Sequence, residues 1–351
     1  MGFKPRIIKP CRVQSKSPTL KMGRALRNCQ KGIETSLILD LNILSKMNEV
    51  VKGERTFEDS GLSWLVKFLN SKPGLCPTPG YAIQEVDSDS LNEITASFES
   101  FLSTYCKGYF DHPTAIKNYS ELINKPKRFQ ELPLSERYLN SIAYLGILKI
   151  QEIWRNDSEL EPIDKFVKYT VFMSEKADIV GAIESEAAKY VFFDSSTVKD
   201  VKFGLFCKKI KENFKKGGDT HEKLLQRCLN SARDIMYYRL CAHMSGELID
   251  GKKQDTWLVT GDEGLYNLSE SIHFVPGIDK SDSKYVTFER HREQKKSDYW
   301  KCSDEILVST IDVRQLHRIV SDQDQFTEES YERLLKCVSD LENELSSLYN
   351  D

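Results

Sequence analysis

Two apolar segments, far apart in the chain, each run into an aspartate and a turn. Residues 36–39 precede Asp40, and residues 257–260 precede Gly261 and Asp262. Short apolar runs without alternation are typical of buried parallel strands, whose carboxyl ends carry the ligand sites of open α/β sheets. We therefore expect the two aspartates, 222 positions apart (262 − 40), to meet at one edge of a sheet and to share a divalent cation.

The composition is that of an ordinary globular chain. Of 351 residues, 40% are hydrophobic and 29% are charged, which suits one large or two medium domains and excludes a disordered chain. The apolar stretches at 142–148 and 190–193 are shorter than a membrane span, and the first residues lack the apolar stretch of a secretory signal. We therefore expect a cytoplasmic protein without a membrane partner.

Cysteine and histidine spacing does not favour a zinc site or a disulfide framework. The nine cysteines include no Cys-x-x-Cys pair, and the six histidines stand singly. Reduced thiols in the core or at the surface are the expected state.

Positive charge is concentrated at the start of the chain. Residues 1–33 contain nine Lys or Arg and no acid, so this basic arm fits either an extended segment along a phosphate backbone or a solvated tail. Further basic clusters lie at 208–216 and at 290–296. The residues that we predict to bind nucleic acid are Arg24, Arg27, Lys208, Lys209, Lys215 and Lys216.

Hydrophobic spacing divides the chain into four parts. These are a basic arm at 1–33, a discontinuous catalytic domain at 34–88 and 221–280, a largely helical insertion at 89–220, and a C-terminal segment at 281–351. The spacing predicts helices over His221–Met244 and over 326–349, and a strand or helix end at 190–194. The apolar stripe of the last helix fits packing on its own domain or a contact in a homo-oligomer.

Four acids are candidates for a shared cation site: Asp40, Glu85, Asp234 and Asp262. Carboxylates brought close together repel one another, which raises their pKa unless a cation is present. Mg²⁺ or Mn²⁺ prefers oxygen ligands, activates water and neutralises charge on a phosphoryl oxygen. The set therefore favours phosphodiester hydrolysis, with Asn42 and Thr260 in supporting positions.

These segments resemble the acidic motifs of the PIN-domain nucleases. Leu37-Ile-Leu-Asp40-Leu-Asn42 resembles the first strand of that family, and Leu258-Val-Thr-Gly-Asp262-Glu-Gly-Leu265 resembles its last acidic strand end. Pro79-Gly-Tyr-Ala-Ile-Gln-Glu85 is similar to the second acidic element, and Ala232-Arg-Asp234-Ile-Met is similar to the third. The likeness covers about 36–86 and 221–275, and the 149 positions between Glu85 and Asp234 (234 − 85) require an insertion.

The resemblance implies a three-layer α/β/α fold with a mainly parallel sheet, to which the helical insertion is added. It also implies an Mg²⁺- or Mn²⁺-dependent endonuclease, usually acting on RNA, in which the four acids are catalytic and bind the metal. A role as a toxin or defence effector is compatible with a free-standing nuclease of this kind.

Other interpretations stay open. A non-catalytic module of the same fold would bind nucleic acid, or a protein partner through its helical regions. A phosphate-transfer protein with Asp40 as nucleophile ranks last, because no glycine-rich phosphate loop occurs. Taken singly, Asp40 fits a helix cap, Asp262 fits a turn, and Glu85 and Asp234 fit surface acids. Asp194, after an apolar run, competes for a place in the acidic cluster.

Overall fold

The computed structural model describes residues 3–71, 75–86, 88–107, 128–277, 284–321 and 327–349. Contacts divide the chain into two units, the first drawn from Met1–Lys127 and Tyr237–Thr287, the second from Arg128–Met236 and Phe288–Asp351. The predicted insertion thus contributes its residues from 128 onward to the second unit. Within the described ranges, no helix has both the length and the apolar character needed to cross a bilayer.

A five-stranded sheet organises the first unit. The strand order is β1 (Arg6–Ile8), β5 (Lys252–Thr260), β2 (Ile33–Leu39) and β3 (Leu75–Thr78), and β4 (Leu248–Ile249) pairs with β5. Strands β5, β2 and β3 run parallel, whereas β1 and β4 are antiparallel to β5. The prediction of a mixed α/β chain with a mostly parallel sheet is therefore confirmed.

Burial explains why the central strands are uniformly apolar. Leu37 of β2 lies opposite Trp257 of β5 on one side and Pro77 of β3 on the other. Leu37, Leu39 and Trp257 have no exposed surface, and Ile38 is almost as deeply buried. Because side chains on both faces of these strands are buried, the sequence shows continuous apolar runs instead of alternation.

Five described α-helices lie within the first unit. They are α1 (Met22–Gln30), α2 (Leu41–Val51), α3 (Ser63–Asn70), α4 (Ser88–Tyr105) and α10 (Glu263–Ser271). Helix α2 buries Ile43, Leu44, Met47 and Val50, which recur every three or four residues and join the core around the sheet. A separate two-stranded sheet is formed by β6 (Ile272–Pro276) and β7 (Lys284–Phe288).

The N-terminal segment differs from the extended or solvated arm that the sequence predicts. It forms β1 and α1, and its basic side chains bind a buried acid of β5. Lys9 Nζ lies 2.7 Å from Asp255 Oδ1, and Arg24 donates to both Asp255 oxygens at 2.8 and 2.9 Å. Asn28 also donates to Asp255 at 2.7 Å. Pairing with this long-range partner offsets the charges of Lys9 and Arg24 and fixes the arm to the sheet.

The second unit is built mainly of helices. Its helices are α5 (Leu134–Asn156), α6 (Pro162–Val171), α7 (Ala182–Phe192), α8 (Val201–Phe214), α11 (Arg292–Lys296), α12 (Asp298–Ser321) and α13 (Glu328–Ser347). Helix α9 (His221–Met244) begins in this unit and ends in the first. Helix α13 packs along α5 and buries four residues of the predicted stripe, Leu334, Val338, Leu341 and Leu345, whereas the fifth, Leu348, follows the helix and is exposed.

Helix α7 is the most deeply buried helix-forming segment of the second unit that the structure describes. Residues 183–192 are all buried, so the ambiguous segment 190–194 is a helix end and not a strand. Two of the charges on α7, those of Glu186 and Lys189, are paired. Arg290 donates to both Glu186 oxygens at 2.7 and 2.9 Å, and Lys189 Nζ lies 2.5 Å from Asp304 Oδ1. Such pairing offsets the cost of removing these charges from water.

Candidate active site

Asp40 and Asp262 lie at the carboxyl ends of two adjacent parallel strands. Asp40 directly follows β2, and Asp262 stands two residues beyond β5. Leu39 pairs with Val259, and the Asp40 N–H donates to the Val259 carbonyl at 3.0 Å. The chain continues from β2 to β3 on one side and reaches β5 on the other, so the order of strands reverses here. Open α/β sheets bind ligands at such points.

A hydrogen-bond network joins the two strand ends. Asn42 Nδ2 and the Thr260 hydroxyl both donate to Asp40 Oδ2, the former at 2.6 Å. The Asn42 side-chain oxygen accepts the Gly261 N–H at 2.7 Å, and the Thr260 hydroxyl oxygen accepts the Asp262 N–H at 2.9 Å. Asn42 and Thr260 therefore fix the position of the Asp40 carboxylate relative to the turn that carries Asp262.

The electrostatics of Asp40 are those of a crowded, desolvated carboxylate. Its side chain is 5% exposed. Burial raises its pKa, and the negative charge of Asp262 raises it further, whereas hydrogen bonds from Thr260, Asn42 and the Leu41 backbone lower it. A cation between the two carboxylates would relieve both the burial and the repulsion.

The two aspartates differ in their local roles. Asp262 caps α10, since its Oδ1 accepts the Leu265 N–H at 2.8 Å. Asp40 occupies the equivalent position before α2, but its side chain makes no capping hydrogen bond there. No capping hydrogen bond thus supports the helix-cap interpretation of Asp40, whereas Asp262, for which a turn was the alternative, uses one oxygen to cap α10. Both helices begin at this edge, where their N-terminal dipoles favour anions.

Phe3 and Arg6 also reach this edge, which no pattern in the sequence predicts. Arg6 pairs with Thr260 across β1 and β5, so the residues before β1 run past the strand ends. A Cβ at Gly261 would lie 2.3 Å from Phe3 Cε2, so only glycine admits the Phe3 ring against this turn. Arg6 lies 3.6 Å from Glu263 at the start of α10. These contacts depend on antiparallel pairing that local sequence patterns do not reveal.

Glu85 follows the third parallel strand. It ends a short 3₁₀ helix, Gly80–Glu85, which comes directly after β3 and contacts α2 and β2. Since β3 is parallel to β2, this helix begins at the same edge of the sheet as Asp40. Glu85 itself is half-buried.

The remaining acids belong to the second unit. Asp234 is half-buried on α9, in the part of that helix assigned to the second unit. Asp194 is exposed, and its carboxylate accepts the Ser196 N–H at 2.9 Å, which is the behaviour of a turn acid. Of the predicted set, the structure brings Asp40 and Asp262 together and places Glu85 after the neighbouring strand.

The side chains predicted to bind nucleic acid have different environments. Arg24 is engaged by Asp255, as described above, whereas Arg27 is exposed in the last turn of α1. Lys208 and Lys209 each lie 3.8 Å from a Glu212 oxygen. In contrast, Lys215 Nζ lies over the Trp154 ring. Lys216 is exposed and donates to Asn213 at 2.5 Å.

The donor set suits a hard cation, although the described residues supply only part of a metal site. Asp40 and Asp262 provide carboxylate oxygens of the kind that Mg²⁺ and Mn²⁺ prefer. In the part of the chain that the structure describes, no three His, Cys, Asp or Glu side chains form a group able to hold a metal ion. The case for a cation at this edge therefore rests on the carboxylates of Asp40 and Asp262 and on the repulsion between them.

Comparisons were made with protein-family models, with curated proteins and with solved structures. None of the three gave a match to this chain.

Proposed function

We propose that the chain is an Mg²⁺- or Mn²⁺-dependent nuclease with a PIN-like, three-layer α/β/α catalytic domain, and that its substrate is RNA. The observation that carries the proposal is the meeting of Asp40 and Asp262 at the reversal point of a parallel sheet, within one hydrogen-bond network. Two like charges held together in a buried position are unfavourable for the protein alone. Such an arrangement is common where a site serves a ligand.

Each residue of the network has a role in this proposal. Asp40 and Asp262 would hold the cation, and Glu85 would complete the acidic edge. Thr260 and Asn42 would favour the ionised form of the Asp40 carboxylate and hold its orientation, since both donate to its Oδ2. When bound, Mg²⁺ or Mn²⁺ supplies a water of lowered pKa and neutralises charge on the phosphoryl oxygen. The N-terminal ends of α2 and α10 add a positive potential for a phosphodiester at this edge.

A cleavage assay with fluorescent single-stranded RNA tests the proposal. The full chain should cleave the strand with Mn²⁺ or Mg²⁺ and should stop when EDTA is added. Asp40→Asn and Asp262→Asn should each lower the rate by roughly 100-fold or more, because each removes a ligand charge. Asp194→Asn is the matched control, since this exposed acid belongs to the second unit and caps its own turn. Cleavage at the wild-type rate by the Asp40→Asn, Asp262→Asn double variant would end the proposal.

A second candidate is a catalytically inactive module that binds nucleic acid or protein. Two observations favour it: Asp40 is almost fully buried, and no complete metal-binding group occurs among the described residues. In that case the hydrogen-bond network would serve only to hold the ends of β2 and β5 together. Such a module would show neither cation-dependent cleavage nor binding of Mn²⁺ to the acidic pair.

A further inference from the structure

A second polar site lies wholly within the helical unit. A cavity of about 510 Å³ is lined by Gln151, Trp154, Arg155, Lys215, Gly217 and Leu348. Trp154 and Arg155 stand in the last turn of α5, and Lys215 directly follows α8. The ends of two helices therefore bring an indole, a guanidinium and an ammonium group to one cavity.

Four cations cluster around two aromatic rings at this site. Lys215, Lys211 and Lys165 place their Nζ atoms 3.7, 4.5 and 5.6 Å from the ring centroid of Trp154. The Arg155 guanidinium carbon lies 5.5 Å from the ring centroid of Tyr349. The residues come from α5, α6, α8 and the segment after α13. The basic run at 208–216 marks Lys211 and Lys215 in the sequence, but no local pattern brings Trp154, Arg155 or Lys165 to them.

In the part of the chain that the structure describes, these cations lack the acidic partners that several other lysines and arginines of the unit have. Lys211 donates to the Phe193 carbonyl at 3.3 Å and Lys165 to the Ser158 carbonyl at 3.1 Å. Among the described residues, no carboxylate lies within ion-pair distance of Lys165, Lys211, Lys215 or Arg155. The buried Nε of Arg155 has no hydrogen-bond partner there either. The cluster thus carries an excess of positive charge.

The close approach of these cations, together with their burial, disfavours the charged forms of Lys211 and Lys215. Burial and the charges of Lys215 and Lys165 together lower the pKa of Lys211 to about 8, against the opposing charge of Asp194. Burial also lowers the pKa of Lys215, with a further contribution from Arg155. An anion in the cavity that accepts hydrogen bonds from Lys215 and Arg155 would raise the pKa of Lys215 again.

Gly217 shapes the wall of the cavity beside Arg155. A Cβ at this position would lie 2.6 Å from Arg155 Nη2. The glycine therefore lets the guanidinium lie against the backbone, where its N–H groups border the cavity. Any larger residue would have to displace Arg155.

We propose that this pocket binds the phosphate group of a nucleotide, with Lys215 and Arg155 as its direct ligands. Guanidinium and ammonium groups are the usual partners of phosphate, and the Trp154 ring in the cavity wall suits the base that accompanies it. That the nucleotide belongs to the strand to be cleaved rests on the proposed function. The pocket then holds part of the substrate on the helical unit, through residues that differ from the acidic edge.

Binding of a short fluorescein-labelled single-stranded RNA, followed by anisotropy in EDTA, tests this site without cleavage. The Lys215→Gln, Arg155→Gln double variant should bind about tenfold or more weakly, and its log–log salt slope should fall by about 1 to 2, because two phosphate contacts are lost. The matched control is Lys223→Gln, Arg128→Gln, which removes the same two residue types. There each cation already has an acidic partner, at 2.9 Å in both cases. The control should bind within about twofold of wild type.

Gly217→Ala gives a second test that leaves every charge in place. It should weaken strand binding by displacing Arg155, and an unchanged thermal midpoint shows that the variant is folded. Competition by an unlabelled mononucleotide separates a free nucleotide from the strand as the source of the phosphate. Displacement by the mononucleotide assigns the pocket to free nucleotides, and displacement only by unlabelled strand assigns it to the substrate.

Equal affinities of the two double variants would overturn the proposal. Strand binding through this pocket without Mn²⁺-dependent cleavage would instead contradict only the nuclease assignment.

Discussion

The Thr260 hydroxyl donates to Oδ2 of Asp40, and the same hydroxyl oxygen accepts the Asp262 N–H at 2.9 Å. One side chain at the end of β5 therefore links the acid of the neighbouring strand to the backbone of the second acid. A hydroxyl serves this purpose because it donates and accepts at once. The relative position of the two carboxylates thus depends on a residue that carries no charge.

Replacing this hydroxyl should loosen the acidic edge. We expect Thr260→Val to destabilise the protein by about 1–2 kcal/mol, since Asp40 loses a buried hydrogen-bond donor. The variant should also raise the pKa of Asp40 further, because the Thr260 hydrogen bond lowers it. Urea unfolding measures the first effect. Thr260→Ser keeps the hydroxyl and should stay close to wild type; equal losses in both variants would argue against the hydrogen bond.

Asp40→Asn should stabilise the protein at neutral pH when no divalent cation is present. The folded state raises the pKa of Asp40, so it binds this proton more tightly than the unfolded chain does. Stability is therefore lost as pH rises from about 4 through the raised pKa, and Asp40→Asn removes that loss. The difference in melting temperature between variant and wild type should grow with pH.

Asp194→Asn should show the opposite sign in the same melting series. Hydrogen bonds from Ser196 lower the pKa of Asp194. Its contribution is therefore present above about pH 4 and is lost as pH falls through the lowered pKa. A parallel response of the two variants would mean that burial and repulsion do not govern Asp40.

Gly261 is the position where the N-terminal segment meets the acidic edge. Gly261→Ala should cost roughly 1–3 kcal/mol, because the new methyl group would overlap the Phe3 ring. Adding Phe3→Ala should recover part of that cost, since the obstructing ring is then absent. A double-mutant cycle by chemical denaturation gives the coupling energy. Independent effects of the two substitutions would show that the ring does not lie against this turn.

Asp255 should be the acid on which the first unit depends most. Lys9 and Arg24 lower its pKa to about 2 against the opposing effect of burial, because two cations act on one carboxylate. Its stabilising contribution is thus complete above about pH 4 and is lost as pH falls towards 2. Asp255→Ala should cost about 3–5 kcal/mol, because it leaves Lys9 buried and unpaired. Arg24→Gln, at a half-exposed position, should cost clearly less; a similar loss would contradict this ranking.

The local patterns of the sequence predict the elements on which the site stands. Helix His221–Met244 is found with the predicted bounds, and the helix expected over 326–349 is found as Glu328–Ser347. The apolar runs before Asp40 and Asp262 are strands because both faces of them are buried. Periodicity predicts such elements because the spacing of apolar residues follows from which faces of a helix or strand are buried.

Contacts between distant segments could not be predicted in this way. The basic arm is a strand and a helix because Asp255, more than 200 positions away, binds Lys9 and Arg24. In the same way, Phe3 lies against Gly261 only because β1 pairs antiparallel with β5. Trp154 and its cations converge from separate helices. Such pairings are set by tertiary packing and leave no periodic trace.

Titration calorimetry with Mn²⁺ tests the central claim most directly, because it reports the cation at the acidic pair whether or not cleavage occurs. Wild-type protein and Asp194→Asn should give the same saturable binding, and Asp262→Asn should abolish it or weaken it by roughly 100-fold or more, since it removes one of two charged ligands. Identical Mn²⁺ binding by the wild type and by the Asp40→Asn, Asp262→Asn double variant would show that these carboxylates do not share a cation.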